Sequence, residues 1–596
     1  MTSESAFHGK RELNVYNMLR KLHRNTRANI PAMVAQRAMS SFSLQAEPPP
    51  REAQSMISVI VYPQNPFVSE PEMRSMLTED IHPGLINSRV QVQDSLGIET
   101  YPDEEGNYLY LPDDPRFDQV NAFYYATFTL RMFERYAYRS LAWSFPSPRI
   151  TIDPHVGDLA NAFYNEQEHL LGFHNFISRD QTPRSTAQSA DIIAHETAHA
   201  ILDGVRDLQN ESLSLGNRAF HESFADISAM LVALHDDSLI RRLLDWTGND
   251  LRMSNFVTQV AENLAHELNG DADYIDEHTV YLRNAFNNLR DRPFDALEYV
   301  PDDPIRDISR QEHNYSRVFT GAFYDIFVRI YEHYVRENMP FFVAVCRARD
   351  IVGHLLMMAI EAGPVGELNY ADMARSFLVA DHILYDGTYQ LLLRDVFVAR
   401  NILTTTTADA HIQALSDVPH ITLPQTMNNA LAASRYLEET ILPALEIESD
   451  HDILPLSAYR NAKGYVFLNY FTSHRLLLDG EQFRDFEEAE MDAFGGLTLV
   501  FKPDNHLCSV CHRPVTDEDL RQLNITVAEL IEHNRIALDL HPPTMNLRPA
   551  PQGLHIPNEE TPDDHSKIVK YPVIFDEIPL RPVHLDEYLR QVQADS

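Results

Sequence analysis

Cysteine is scarce. The chain has 596 residues and three cysteines, Cys346, Cys508 and Cys511. At most one disulfide can form, which excludes a fold built on a disulfide framework. Glycine is low at 20 residues while apolar residues reach 44%, which excludes a fibrous or disordered chain. Long hydrophobic runs are missing too. No stretch reaches the ~18 apolar residues of a membrane span. The best candidate, Phe341–Gly363, is interrupted by Arg347, Arg349 and Asp350, so no transmembrane segment is expected. Positive charge is in deficit: 49 Lys and Arg against 87 Asp and Glu give a net charge of −38. Such a surface repels phosphates and argues against nucleic acid as a partner. No apolar signal core opens the chain. The expectation is a cytoplasmic protein, or one exported without a recognisable signal peptide.

At roughly 150 residues per domain, the length allows two to four folded units. The first 50 residues hold seven Lys or Arg and three Asp or Glu. With Leu13, Val15, Met18, Leu19 and Leu22 at helical spacing, residues 1–56 read as a basic helical segment. It is either a targeting or membrane-surface helix, or a helix docked on the acidic body. Pro48, Pro49 and Pro50 mark a linker. Residues 57–203 read as an α+β unit, with a strand at Ile57–Tyr62, a helix over Phe117–Arg139 and strands within Arg149–Phe176. A capping box at Ser185 and Gln188 precedes an apolar helix running to about Leu202, with Gly204 as its stop. Helical patterns dominate 204–403. Thr404–Thr407 is four consecutive threonines, poor in a helix, and marks a boundary. Within 404–596, Tyr465–Tyr470, Leu497–Phe501 and Ile568–Phe575 read as strands of an extra C-terminal α+β domain.

The chemistry concentrates in HETAH: His195, Glu196 and His199. On a helix, positions i and i+4 share a face, so both imidazoles can reach one ion, with Glu196 beside them to take a proton from water. The surrounding helix is strongly apolar, with Ile192, Ile193, Ala194, Ala198, Ile201 and Leu202. Polar groups there are costly to bury without a metal or hydrogen bonds. A later helical stretch from His221 to Val232 offers Glu222 as third ligand and, one turn on, Asp226 to hold the far nitrogen of a ligand histidine.

At this point the chain resembles the thermolysin-like zinc metallopeptidases. DIIAHETAHAILD (Asp191–Asp203) resembles their zinc helix, and HESFAD (His221–Asp226) their segment carrying the third ligand. NAFYN (Asn161–Asn165), with Gly172 after it, resembles their substrate-binding edge strand. HNYSRVFTGAFYD (His313–Asp325) resembles their helix that opens on a catalytic histidine, with Ser316 at +3. The likeness spans about Ile57–Leu403. It implies a two-lobed fold, β-rich in front and helical behind, with one catalytic zinc on His195, His199 and Glu222. It makes Glu196 the general base and His313 the oxyanion stabiliser. It implies that Asp226 orients His195 and Asp307 orients His313. Asn161 and Ala162 would hold the substrate backbone, and Arg283 or Arg290 would grip a substrate carbonyl. The implied substrate is a peptide or protein.

The chain also departs from the pattern. His221 stands where the family has asparagine, and Gly204–Phe220 contains no tyrosine to help bind the oxyanion. Of the family's calcium cluster Asp191 remains, but Ala233 replaces an acid, so calcium is not expected. Further on, HLCSVCH supplies His506, Cys508, Cys511 and His512. This reads as a c-type haem attachment pattern, as a second, structural zinc site, or as a plain pair of thiols. The sequence as a whole points to a zinc endopeptidase. The alternative is a binding or scaffold protein on a peptidase fold that has lost catalysis. An aminopeptidase ranks lower, because no G-x-M-x-N segment is present to capture a substrate amine. Oligomeric state is not legible.

Overall fold

The computed structural model describes residues 56–177, 181–206, 212–260, 283–300, 307–424, 430–448, 453–486 and 490–533, with short strands outside these ranges at 42–43, 555–557 and 565–567. The expected N-terminal helical segment and the expected strand at Ile568–Phe575 lie outside the described residues. The fold is α+β, as expected.

The front half is built on one long helix and three small sheets, the smallest of them Asn175–Ile177 paired with Pro183–Ser185. Strand β1 (Met56–Val61) pairs antiparallel with β2 (Glu72–Leu77). Strands β3 (Val90–Val92), β4 (Ile150–Asp153), β5 (Ala162–Asn165) and β6 (Leu170–Phe173) form a second sheet in the order β3-β4-β6-β5. β3, β4 and β6 run parallel, and β5 turns back antiparallel on β6, so β5 is the edge. The register sets Phe163 opposite Gly172, where a Cβ would lie 2.4 Å from the Phe163 ring. Only glycine leaves room for that ring. Helix α1 (Pro115–Ala137) starts on the Asp114 side chain, with proline at the first position, and ends at left-handed Tyr138. It buries Phe117, Val120, Phe123, Leu130 and Phe133.

Helix α2 (Ala190–Val205) is buried from Ala190 to Asp203. A helix buried on every side, polar groups included, lies in the middle of the fold. Gly204 does not end it in a left-handed turn, as expected. It lies within the last turn, where a Cβ would meet the Ala142 carbonyl oxygen at 1.9 Å. Helix α3 (Leu215–Ala233) packs along α2, its first turn capped by Ser214. Helices α4 (Glu312–Arg336), α5 (Phe341–Ala362), α6 (Tyr370–Tyr385) and α7 (Gln390–Ala399) complete the helical half. Among the described residues no helix is long and apolar enough to cross a membrane. The threonine run does not break the chain. Thr404 caps a further helix, Thr405–Ala414, through a reciprocal bond with Thr407, because threonine hydroxyls satisfy the free N–H groups of a first turn.

The chain beyond 404 is fused to the body. Strands β7 (Leu454–Arg460), β8 (Val466–Leu477), β9 (Glu490–Phe501) and β10 (Leu507–Arg513) form an antiparallel meander. Phe467, Val500 and Cys508 join the main hydrophobic core. Arg206, at the end of α2, donates to the carbonyls of Ile360 and Glu361 and to Asn469 on β8. Helix α8 (Asp517–Glu532) then returns to the front. It shares a small core with Leu213, Phe483 and Phe486, and its Glu529 binds Arg310.

Candidate metal centre

Helices α2 and α3 bring His195, His199 and Glu222 together. The Nε2 atoms of the two histidines are 3.3 Å apart. Glu222 Oε2 lies 3.5 Å from His195 Nε2, and Glu222 Oε1 lies 3.6 Å from His199 Nε2. A tetrahedral ion with bonds of about 2.0–2.1 Å holds its ligand atoms about 3.4 Å apart. The three side chains stand close to the spacing of zinc ligands, with a different Glu222 oxygen nearest each histidine. All three are buried, and both Glu222 oxygens lack a hydrogen-bond partner. Buried acceptors without donors are costly, and a cation at their common focus removes the cost. Among the described residues this is the one group of histidine, cysteine or acidic side chains arranged to hold a metal.

The charge balance agrees. Glu196, Glu222 and Asp226 are buried carboxylates, and Arg283 is the buried cation among them. With neutral imidazoles and all three carboxylates ionised, as metal ligation requires, two negative charges would be left for a divalent cation to balance; without the cation, protons on His195 and Glu196 take that place. Burial disfavours charge on His195, yet the neighbouring carboxylates of Asp226 and Glu222 raise it to about 10. Burial opposes the Glu222 charge, but His313, His195 and His199 hold its carboxyl well below the usual range. His199, more weakly paired, is driven well below the ordinary imidazole value by burial. Burial pushes the Glu196 carboxyl up to about 8, against the pull of His195. Neither Glu196 oxygen has a hydrogen bond of normal geometry, although the backbone N–H of Tyr164 on β5 acts on it. The edge strand thus lies beside Glu196.

Asp226 sits one turn along α3 from Glu222, with Oδ1 3.1 Å from His195 Nδ1, as expected of an orienting group. Arg283, on the short strand Arg283–Asn284, does not stand free for a substrate. Its Nε and Nη2 grip Asp226 at 2.9 and 2.8 Å, and Nη2 lies 3.9 Å from Glu222. Two neighbouring buried carboxylates need such a cation. His221 stacks on His199 with centroids 6.1 Å apart, and burial lowers it to about 4. It is a neutral flat partner for the ligand ring.

His313 opens α4 and points Nε2 at Glu222 Oε2, 3.3 Å away. Asp307 is not its partner. That carboxylate is exposed and paired with Arg292 at 2.8 Å. Gln311 takes the place instead, with Nε2 2.8 Å from His313 Nδ1. Its neighbour Glu312 pairs with the buried Arg218. Ser316 donates to the His313 carbonyl at 2.8 Å. A reading of the cap positions before His313 could have found Gln311.

Asn161 and Ala162 lie where β5 begins. The Asn161 carbonyl is occupied by His174 and Thr186, while its Oδ1 is buried without a partner. Among the described residues the C-terminal cysteines form no metal group. Both lie on β10, where positions three apart are separated by about 10 Å along the strand, so one ion cannot bridge them without a turn. Cys508 Sγ donates to the Val500 carbonyl, and burial raises both thiols to about 12. His506 and His512 are exposed.

A scan against protein-family models finds no match, and a search of curated proteins finds none either. The functional reading therefore stands on the geometry and on the order of the sequence blocks.

Proposed function

We propose that the protein is a zinc-dependent endopeptidase of thermolysin-like build, with a β-rich front lobe and a helical rear lobe on either side of α2. The observation that carries this reading is the mutual spacing of His195 Nε2, His199 Nε2 and the Glu222 carboxylate, with the unpartnered Glu196 beside them. Bound there, zinc would supply Lewis acidity toward water and a peptide carbonyl. Glu196 takes the proton of the attacking water and passes it on to the leaving amine. His313 donates from Nε2 to the carbonyl oxygen as negative charge develops on it. The outer edge of β5, beginning at Asn161 and Ala162, would take the peptide backbone as an added strand. Asp226 fixes the ring of His195, and Arg283 fixes Asp226.

One observation favours the second reading, a binding or scaffold protein. Arg283, expected to meet the substrate, is engaged by Asp226. Metal analysis and casein cleavage separate the two readings. The peptidase reading expects about one zinc per chain in the wild type and in Glu196→Gln, with cleavage by the wild type alone. A fully loaded wild type that cleaves nothing favours the scaffold.

A further inference from the structure

A neutral imidazole can carry its proton on either nitrogen, and the surroundings of His313 are asymmetric. Gln311 caps α4: its Oε1 accepts the backbone N–H of Asn314 at 2.7 Å. That bond fixes the orientation of the amide, because only the oxygen can accept. The amide nitrogen must then be the atom 2.8 Å from His313 Nδ1. An amide NH2 only donates, so Nδ1 must offer its lone pair. On the other side of the ring, Nε2 makes no hydrogen bond of normal geometry; the nearest acceptor, Glu222 Oε2, lies 3.3 Å away. Glu312 Oε1, 3.9 Å from Nδ1, is beyond hydrogen-bond reach, and its carboxylate is taken by Arg218.

We propose that Gln311 is a positioning residue that holds His313 in the tautomer with its proton on Nε2. The consequence for catalysis rests on the peptidase reading: Nε2–H is the donor that an oxyanion needs. A carboxylate partner at Nδ1 would do the opposite. It would take the proton onto Nδ1 and leave Nε2 without one unless the ring became charged. Gln311 thus supplies a neutral donor without requiring an imidazolium.

Two substitutions separate this role from simple helix capping. Gln311→Glu keeps an oxygen for the Asn314 N–H but turns the donor at Nδ1 into an acceptor. Gln311→Met removes both functions. If Gln311 merely caps the helix, the methionine variant is the more damaged. If it sets the tautomer, the glutamate variant is the more damaged in kcat, by about 100-fold, the scale of losing one oxyanion donor. KM stays within about threefold, and the methionine variant has the lower Tm.

The direct readout is a long-range proton–nitrogen correlation spectrum of the zinc-loaded full chain labelled with 15N-histidine, His313 being assigned by its loss in His313→Gln. The wild type should show a protonated Nε2 and a bare Nδ1, and Gln311→Glu a protonated Nδ1. A wild-type proton on Nδ1, or identical His313 signals in wild type and Gln311→Glu, overturns the proposal. The spectrum needs no turnover. An inactive wild type would sink the peptidase reading while the tautomer is still decided.

Discussion

Arg283 and Asp226 form a buried bidentate pair, with Nε and Nη2 at 2.9 and 2.8 Å from the carboxylate. Asp226 in turn meets His195 Nδ1 at 3.1 Å. One guanidinium therefore stabilises the carboxylate that aims a ligand imidazole. Removing a single partner leaves an uncompensated buried charge. Arg283→Met should lower unfolding free energy by roughly 3–5 kcal/mol, read by urea denaturation of the metal-free protein. A loss below about 1 kcal/mol would mean that the pair is not desolvated as described.

Asp226→Asn retains shape but loses the acceptor charge behind His195. Zinc affinity should fall about 10–100-fold, measured by competition with a chromophoric chelator. Unchanged affinity would remove Asp226 from any part in the metal site.

Much of the centre is legible in the sequence because helical spacing fixes faces. His195, Glu196 and His199 share one helix, and Glu222 and Asp226 another, so their juxtaposition needs only that α2 and α3 pack. The hairpin of β5 and β6 turns at residues 166–169, and Gly172 on the return strand faces Phe163. What was not legible depends on pairing across the chain. Arg283 stands 57 residues from Asp226 in sequence, and nothing local ties them. Asp307 attracted attention as a carboxylate near His313, but loop geometry gave it to Arg292 while the cap of α4 brought Gln311 to the ring. Cys508 and Cys511 have metal spacing only where the chain turns, and here it runs on as a strand.

The C-terminal unit should matter to the site. Glu529 on α8 holds Arg310, three residues before His313. Glu529→Gln should lower kcat about tenfold through displacement of that loop, with zinc content unchanged. Full activity would show the unit to be an accessory to stability alone.

His235 supplies a pH prediction remote from the metal. Its Nδ1 donates to the Leu231 carbonyl at 2.7 Å, so Nε2 accepts from Arg135 at 2.7 Å. Burial and the charge of Arg349 lower it to about 3. Between pH 3 and 6.5 the unfolded chain binds this proton and the folded chain does not, so stability rises with pH across that window. The ring keeps some contact with water, so about 2 kcal/mol should be lost between pH 6.5 and 4. His235→Gln should flatten that part of a denaturation–pH profile, and an unchanged profile would contradict the assignment.

Anomalous diffraction at the zinc edge from the zinc-loaded protein tests the central claim most directly. One peak is predicted at about 2.0–2.2 Å from His195 Nε2, His199 Nε2 and a Glu222 oxygen. No peak there, or a principal peak elsewhere such as beside Cys508, would contradict the account.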